Sequence, residues 1–378
     1  MWLLGRRLRP AKASHKTSKE IKPLDGQVAL VTGGARGVGR GIALQLAQAG
    51  AKVYVSGRKP NSNPGIPTLH DTTNEISSRG GKAVAVYCDH NKDDEVKELF
   101  QRIAKDENGR LDVLVNNAFS GANAMENNIG KKFFECQPSF WDEINRVGLR
   151  NVYICSVLAS RMMVPRQKGL IVNISSAAGI RYFFNVPYGV GKAAVPESSL
   201  LELSVLVRVD RMSADMAEEL KDYKVTVVSL WPGTVKTEKS YDWLKSGMLS
   251  KLTKMPQAQI ERMVEKGETP EFVGRSVACL ACDDRMLRKT GSILLTGDLC
   301  NEYMFLDNDG SSIIVIIIII IIIIIIIIII IIIIIIIIII IIIIIIIIIL
   351  LLLYYYYYYY YYYYYYYYYY YYYYYYYY

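Results

Sequence analysis

The chain has 378 residues, of which 52% are hydrophobic and 21% are charged, and its net charge at pH 7 is +8. Residues 1–23 contain seven Lys or Arg residues and one Glu, so the rest of the chain carries a charge close to +2. So little excess charge implies no basic face of the kind that binds nucleic acid, and we expect no nucleic-acid partner.

Composition divides the chain into three regions. Residues 24–312 have the composition of a globular protein and suffice for a single large α/β domain with a buried core. Residues 1–23 are rich in Arg and poor in acidic residues, which is typical of a mitochondrial transit peptide, although a start codon assigned too far upstream also explains them.

Residues 313–378 are almost entirely Ile, Leu and Tyr. The 41 apolar residues from Ile313 to Leu353 exceed the roughly 20 that span a bilayer, so the tail would permit membrane association. However, the DNA triplet repeat ATT encodes Ile in one frame, Leu in the second and Tyr in the third. We therefore interpret residues 313–378 as a translated repeat that lies outside the folded domain.

The cysteines indicate a reducing compartment. The six of them follow no disulfide spacing, and they lie at positions 88, 136, 155, 279, 282 and 300. Cys279 and Cys282 form an isolated Cys-x-x-Cys in an apolar helical pattern, for which core packing is favoured over zinc or redox chemistry. No metal site is predicted.

The first folded element is a strand that breaks into glycines and continues with helical spacing, over residues 27–44. Its glycines follow the pattern Thr-Gly-x-x-x-Gly-x-Gly. Glycine permits positive φ and lets a pyrophosphate approach the backbone N–H groups at a helix N-terminus. This turn predicts a dinucleotide site, and its residues are Gly33, Arg36, Gly37, Val38 and Gly39.

The end of the second predicted strand, residues 51–58, indicates which dinucleotide binds. An acidic residue here would accept hydrogen bonds from the ribose and repel a 2′-phosphate, whereas Gly57 leaves space and Arg58 can pair with that phosphate. Arg36 and Arg40 add positive charge beside the glycines. We therefore predict that the protein binds NADP(H) rather than NAD(H).

Two more predicted strands, residues 83–89 and 111–118, end in polar side chains. Asp89 is placed to meet the adenine amino edge, and Asn116 lies at the carboxyl end of its strand, where ligands bind in such sheets. Near-continuous apolar strands that alternate with helices predict a parallel sheet covered on both faces.

A catalytic group of residues follows the next strand, residues 169–176. Tyr188 and Lys192, four residues apart, share one face of the helix that Pro187 opens. The Lys192 ammonium should favour the ionised phenol and lower the pKa of Tyr188, which brings proton transfer within reach of neutral pH. Ser176 can hydrogen-bond a carbonyl oxygen, and Ser175 is the less favoured choice.

Residues 24 to about 310 resemble the short-chain dehydrogenase/reductase family in the glycine turn, in Phe184 to Ala194 and in Ser229 to Gly233. The resemblance implies a Rossmann-like, doubly wound parallel sheet with helices on both faces in one domain. It also implies that Tyr188 is the acid, that Lys192 binds the ribose and modulates the phenol pKa, and that Thr237 helps to hold the nicotinamide carboxamide.

The resemblance further implies a function. Members of the family that share these motifs reduce steroid and xenobiotic carbonyls with NADPH. The resemblance therefore implies a small-molecule carbonyl substrate and a place in steroid, lipid or xenobiotic metabolism. It implies location in the endoplasmic reticulum or cytoplasm, whereas the basic N-terminus would indicate mitochondria. The family also implies a homodimer formed through the helix that follows Tyr188.

The sequence departs from the family at three points. Phe119 stands where the family has Gly after Asn-Asn-Ala, and Gly148 stands where the family has the Asn of its proton relay. Residues 196–209 begin with a helix-breaking Pro and interrupt the catalytic helix. We interpret these fourteen residues as an artefact of the gene assembly, and we expect the literal chain to be poorly soluble and weakly active.

We predict an NADPH-dependent carbonyl reductase with a Ser-Tyr-Lys catalytic group. A non-catalytic dinucleotide-binding protein is an alternative that the interrupted helix supports, and a 3-oxoacyl thioester reductase of the same fold is another.

Overall fold

The computed structural model describes residues 22–60, 66–179, 182, 184–192, 209–308 and 313–377. The chain divides into two compact units, one up to Ser311 and one from Ser312 onward. The proposed insert, residues 196–209, lies outside the described residues except for its last residue, Val209, and residues 1–21 lie outside them as well.

In the described part of the first unit, seven parallel strands form one sheet in the order β3-β2-β1-β4-β5-β6-β7. This confirms the doubly wound, Rossmann-like sheet. The chain leaves β3 at one edge and returns to β4 beside β1, and this reversal opens a crevice at the carboxyl ends of the strands. The strands are β1 Val28–Thr32, β2 Lys52–Gly57, β3 Lys82–Tyr87, β4 Val113–Asn116, β5 Gly169–Ile174, β6 Val225–Trp231 and β7 Ile293–Leu295.

Helices connect the strands and cover the sheet. A π-helical turn, Arg146–Arg150, joins α5 to α6. Short 3₁₀ turns occupy Phe133–Glu135, Val164–Arg166, Ala177–Gly179, Lys221–Tyr223 and Met286–Lys289. The helices of this unit are α1 Gly37–Gln48, α2 Leu69–Ser78, α3 Asp93–Asp106, α4 Ala122–Asn127, α5 Ser139–Asn145, α6 Asn151–Met163, α7 Val186–Lys192, α8 Val209–Leu220, α9 Glu238–Lys245, α10 Met248–Thr253, α11 Gln257–Glu265, α12 Pro270–Cys282 and α13 Thr296–Tyr303.

The strands alternate their side chains between two hydrophobic layers, as a sheet covered on both faces requires. In β1, Ala29 and Val31 pack towards α1 and α12, whereas Val28 and Leu30 pack towards α3, α6 and α8. The residues between the sheet and these helices are almost fully buried. A rigid sheet with both faces filled leaves the strand ends as the place for a site.

The two cysteines of the Cys-x-x-Cys pattern differ in exposure. Cys279 is partly buried in α12, but Cys282 at the end of that helix is exposed, so core packing was the wrong interpretation for Cys282. In the second unit, the tail forms one helix, α14 Ile313–Tyr377. Within it, Ile323–Tyr376 is long and apolar enough to cross a membrane, by length and composition alone.

Candidate functional site

The glycine turn after β1 is held in shape by Asn117. Gly33 has φ of 67°, and a Cβ there would lie 2.9 Å from Ala118 Cα, so only glycine fits without strain. The Asn117 side chain donates hydrogen bonds to the carbonyls of Thr32 (2.9 Å) and Gly33 (3.1 Å). A Cβ on Gly39 would collide with that amide at 2.4 Å. Asn117 is therefore a structural partner of the turn, a role that the sequence analysis did not assign.

The N-terminus of α1 already holds a negative group of this chain. Arg36, the N-cap residue, offers no side-chain cap, and the Gly37 N–H instead donates a 3.1 Å hydrogen bond to Glu238 Oε2 of α9. Val38 follows as the second residue of the helix. A carboxylate oxygen on this backbone donor shows that the turn accommodates an anion, and the residues present fit a cofactor pyrophosphate.

Because Glu238 and a pyrophosphate would compete for the same donor, we expect the Glu238→Gln variant to bind NADPH about three- to tenfold more tightly, which corresponds to about 1 kcal/mol for a charge at a helix N-terminus. A fluorescence titration with NADPH measures the change in Kd. Glu265→Gln, which removes an exposed charge from α11, is the control. An unchanged Kd in Glu238→Gln would show that the two groups do not compete.

The predicted adenosine side of the site lies at the ends of β2 and β3. Arg58 and Asp89 line one cavity of about 640 Å³. Arg36 and Arg58 are exposed, and neither has an acidic partner in the described part of the chain. Arg40 instead forms an ion pair with Glu75 of α2. Glu75 therefore offsets the positive charge that Arg40 was predicted to add, and a role of Arg40 in cofactor binding stays a prediction.

Asn116 is buried, whereas Asn117 is partly exposed. Its amide donates hydrogen bonds to Asn173 Oδ1 (2.8 Å) and Ser156 Oγ (3.1 Å), and the residue is 2% exposed. The side chain that we expected in the cofactor site is therefore committed to a buried polar network between β4, β5 and α6.

The three predicted catalytic residues meet at the carboxyl end of β5. Ser176 Oγ accepts a hydrogen bond from the Ala178 N–H (3.2 Å) and also lies within hydrogen-bonding reach of Tyr188. Lys192 Nζ donates to the Ile174 carbonyl at 2.8 Å. The Ser175 hydroxyl instead donates to the backbone carbonyl of Lys192 at 3.3 Å. The geometry thus supports the choice of Ser176 over Ser175.

The electrostatics differ from the sequence prediction. Burial raises the pKa of Tyr188, and the hydrogen bond with Ser176 lowers it by a smaller amount. Burial also lowers the pKa of Lys192 to about 8. The prediction that the pKa of Tyr188 is lowered was wrong for this structure, because the phenol packs against aromatic rings and the Lys192 ammonium is bonded to a backbone carbonyl.

Aromatic side chains surround Tyr188. The Phe119 ring meets it edge-on with centroids 5.7 Å apart, and the Phe184 ring lies at 5.3 Å. Phe184 has φ of 65°, which is rare for a bulky residue and common at functional sites. The Trp243 ring of α9 lies 6.3 Å from Phe184. We call Phe119, Phe184 and Trp243 the aromatic collar.

Two of the three departures from the family pattern, Phe119 and Gly148, are in contact. A Cβ on Gly148 would lie 3.0 Å from Phe119 Cδ2 and 3.3 Å from Cε2, closer than a side chain normally packs. The Phe119 ring thus occupies the space that an asparagine at 148 would need. Relative to the family, the residue at 119 is larger and the residue at 148 is smaller. Because the two positions are in contact, we interpret both differences as one coupled exchange.

The Gly148→Asn variant should therefore lose about 1 to 3 kcal/mol of unfolding free energy, the usual cost of overpacking. Urea denaturation measures this loss. The double variant Phe119→Gly/Gly148→Asn should recover part of it, and a double-mutant cycle should give a coupling of about 1 kcal/mol or more. Additive effects of the two changes would show that the positions are independent.

The loop after β6 is fixed from two sides. Thr237 caps α9, because its side chain accepts a hydrogen bond from the Ser240 N–H at 3.1 Å, and its methyl group faces Gly37. Glu268 accepts hydrogen bonds from the Gly233 N–H and the Thr296 hydroxyl, both at 2.8 Å. Glu268 lies far along the chain from its partners, so no local sequence signal pointed to it.

Comparison with known proteins agrees with this geometry. Residues 27–245 match the family model for short chain dehydrogenases. The chain is 44% identical over 297 residues to mouse (Mus musculus) dehydrogenase/reductase SDR family member 1, covering 78% of this chain and 87% of that protein. It is 29% identical over 268 residues to the 3-oxoacyl-[acyl-carrier-protein] reductase of Synechocystis, covering 71% and 94% of the two chains.

Among solved structures, a metagenomic short-chain oxidoreductase crystallised in complex with NADP is similar at 26% identity, with a TM-score of 0.53, and the match covers 72% of this chain and 97% of that one. The family match over residues 27–245 spans more than half of this chain, and the mouse protein is 44% identical over 78% of it. The chain belongs to the short-chain dehydrogenase/reductase family of oxidoreductases.

Proposed function

We propose that this chain is an NADPH-dependent carbonyl reductase. The observation that carries the proposal is the meeting of Ser176, Tyr188 and Lys192 at the end of β5, beside the crevice that the glycine turn borders. NADPH, when bound, supplies the hydride for a ketone or aldehyde carbon. The glycine turn would hold its pyrophosphate, and Thr237 with the loop before it would hold the carboxamide.

The side chains of this site would then orient the substrate carbonyl group and supply the proton to its oxygen. Ser176 Oγ accepts a hydrogen bond from the Ala178 N–H and lies within hydrogen-bonding reach of Tyr188, so its hydroxyl would donate to the substrate carbonyl oxygen when that oxygen takes its place beside the phenol. Tyr188 donates the proton to that oxygen, and protonated Lys192 stabilises the phenolate that remains. The raised pKa of Tyr188 keeps the phenol protonated before substrate arrives, as a general acid requires.

Cofactor preference rests on the end of β2. Gly57 leaves room beside the ribose, and the exposed guanidiniums of Arg58 and Arg36 can pair with a 2′-phosphate. That a related structure was crystallised with NADP agrees with this proposal.

The aromatic collar favours an apolar carbonyl substrate, such as a steroid or a xenobiotic ketone. NADPH oxidation should be measured with a panel of steroid, quinone and acyl-thioester substrates. Turnover of steroids or quinones supports the proposal. Turnover of acyl thioesters alone would favour the alternative activity, which is that of the Synechocystis relative. No turnover on any substrate would favour a non-catalytic dinucleotide-binding protein.

We further propose that the functional protein is the domain of residues 24–312 without residues 196–209. Sequencing the expressed transcript tests this, and a major transcript that encodes all 378 residues would contradict it. The resemblance assigns such a domain to the endoplasmic reticulum or cytoplasm. A translated N-terminus would direct it to mitochondria, and a translated tail would permit membrane association.

For assembly, we propose a homodimer through α7, which carries Tyr188, and α8, the next described helix along the chain. Size-exclusion chromatography with light scattering measures the mass in solution, and a monomer at micromolar concentration would contradict the proposal.

A further inference from the structure

A carboxylate that the proposed mechanism does not use, that of Glu268, holds the loop that follows β6. This loop, residues 232–237, runs from the end of β6 to the start of α9. Glu268 Oε1 accepts a 2.8 Å hydrogen bond from the Gly233 N–H, and Oε2 accepts one of the same length from the Thr296 hydroxyl. Both carboxylate oxygens are therefore paired, one with the loop and one with the start of α13.

The backbone of Glu268 binds the same loop. The Glu268 N–H donates a hydrogen bond to the Thr234 carbonyl, and the Lys236 N–H donates one to the Glu268 carbonyl, each at 2.9 Å. The two segments lie side by side in a parallel bridge between Val235 and Glu268. A Cβ on Gly267 would lie 2.4 Å from the Thr234 carbonyl oxygen, so the approach requires glycine. Glu268 is thus bonded to the loop through both its carboxylate and its backbone.

Glu268 is joined to a helix that packs beside the glycine turn. It precedes Thr269, the N-cap of α12, whose backbone N–H and hydroxyl both donate to the Asp307 carboxylate. The backbones of α12 and α1 are in close contact, since a Cβ on Gly41 would lie 2.1 Å from the backbone of Pro270. Because α1 begins at the glycine turn, Glu268 links the end of the site that would hold the pyrophosphate to the end that would hold the nicotinamide.

A second contact joins the end of this loop to the glycine turn, but a cofactor would displace it. Glu238, the first residue of α9, accepts a hydrogen bond from the Gly37 N–H, which is the donor that the pyrophosphate would take. Once the cofactor has replaced Glu238, the hydrogen bonds of Glu268 would still hold the loop. We therefore expect Glu268 to matter most in the state with cofactor bound.

We propose that Glu268 is a positioning residue that holds residues 232–237 in place for the nicotinamide half of NADPH, a proposal that rests on the carbonyl reductase function above. Glu268 acts through the loop and touches neither the substrate nor the reacting atoms. Without its carboxylate the loop would be held by fewer bonds, and binding of NADPH would have to order it. The residues that make these contacts all lie outside residues 196–209.

The test compares NADPH with the part of it that the loop would not hold. The probe 2′-phospho-ADP has the adenosine, the 2′-phosphate and the pyrophosphate of NADPH but no nicotinamide. In Glu268→Ala, the Kd for NADPH should rise about tenfold, roughly the cost of ordering the backbone of one residue, whereas the Kd for 2′-phospho-ADP should stay within about twofold of the wild type. Isothermal titration calorimetry measures both constants.

The titrations should be made well above pH 7, where Glu268 is ionised. Burial raises the pKa of Glu268 to about 7, and the nearby Asp307 carboxylate adds to the rise, although the hydrogen bonds from Thr296 and Gly233 lower the pKa. Equal weakening of both ligands in Glu268→Ala would show that the carboxylate only supports the fold, and this result would overturn the proposal. An unchanged Kd for NADPH would overturn it as well.

Two further variants serve as rescue and control. Glu268→Gln keeps an acceptor for the Gly233 N–H and can donate to Thr296 Oγ1, so its Kd for NADPH should lie within about threefold of the wild type. A loss as large as that of Glu268→Ala would show that the hydrogen bonds are not the cause, contrary to the proposal. Glu265→Ala, which removes an exposed carboxylate at the end of α11, should change neither constant.

The two titrations do not depend on turnover. If the wild type binds NADPH but reduces no carbonyl, the carbonyl reductase function fails, and the titrations still decide the role of Glu268. If the wild type reduces carbonyls and Glu268→Ala shows no selective loss, the role of Glu268 alone is refuted. If Glu268→Ala does not fold, Thr296→Val, which removes only the hydroxyl bonded to Oε2, must weaken NADPH selectively. Equal effects on the two ligands in Thr296→Val would contradict the proposal.

Discussion

Replacing Tyr188 with Phe is expected to lower kcat by about 10²- to 10⁴-fold, the range typical for loss of a general acid. The Phe ring preserves the contacts with Phe119 and Phe184, so folding should be little changed. The affinity for NADPH should also stay close to that of the wild type. Steady-state NADPH oxidation gives kcat, and a fluorescence titration gives Kd.

Tyr153→Phe is the matched control, because it deletes the hydroxyl of an exposed tyrosine on α6. Its kcat should equal that of the wild type. If Tyr188→Phe retains activity within a few fold, another group donates the proton and the proposed mechanism is wrong. If Tyr188→Phe instead loses NADPH binding in parallel, the hydroxyl acts on the cofactor rather than on the substrate.

The Arg58→Asp variant is expected to lower the NADPH/NADH ratio of kcat/KM by about 30-fold or more. The loss of one charged partner of a phosphate costs about 2 kcal/mol or more, and the new carboxylate repels the 2′-phosphate while it accepts hydrogen bonds from an unmodified ribose. Steady-state rates measured over a concentration series of each cofactor give the two values of kcat/KM and hence the ratio.

Lys82→Asp makes the same change of charge at an exposed side chain that starts β3, at the opposite end of the sheet. The NADPH/NADH ratio of this control should not change, since the effect on Arg58 is local. Arg40→Gln should also have a smaller effect than Arg58→Asp, because Glu75 already compensates the charge of Arg40. An unchanged ratio in Arg58→Asp would remove Arg58 from the cofactor site.

Several features of the fold could be predicted from sequence because their cause is local. Apolar runs such as Gly169–Ile174 are buried on both faces, so nearly every residue in them is hydrophobic, and this pattern predicts a parallel strand. The positive φ of Gly33 and the four-residue spacing of Tyr188 and Lys192 are likewise properties of short segments. The fold, the glycine turn and the three residues at the end of β5 therefore followed from sequence patterns.

Electrostatics could not be predicted in this way. The pKa of Tyr188 was predicted to fall because the spacing places Lys192 on the same helical face. In the folded protein the pKa of Tyr188 is instead raised, because the cost of burying the phenolate exceeds its stabilisation by neighbouring groups. Similarly, Arg40 lies beside the glycines in sequence, but its charge is compensated by Glu75 from another helix. Burial and partners depend on the packing of distant segments.

The class of fold, the family and the residues that meet at the end of β5 could thus be predicted from the amino-acid sequence, since each depends on local periodicity or on a short motif. By contrast, the filling of the space beside Gly148 by Phe119 and the position of Glu238 on the Gly37 N–H are visible only in the folded protein. These pairs are distant in the chain, and the contacts exist because a doubly wound sheet brings all its strand ends to one edge.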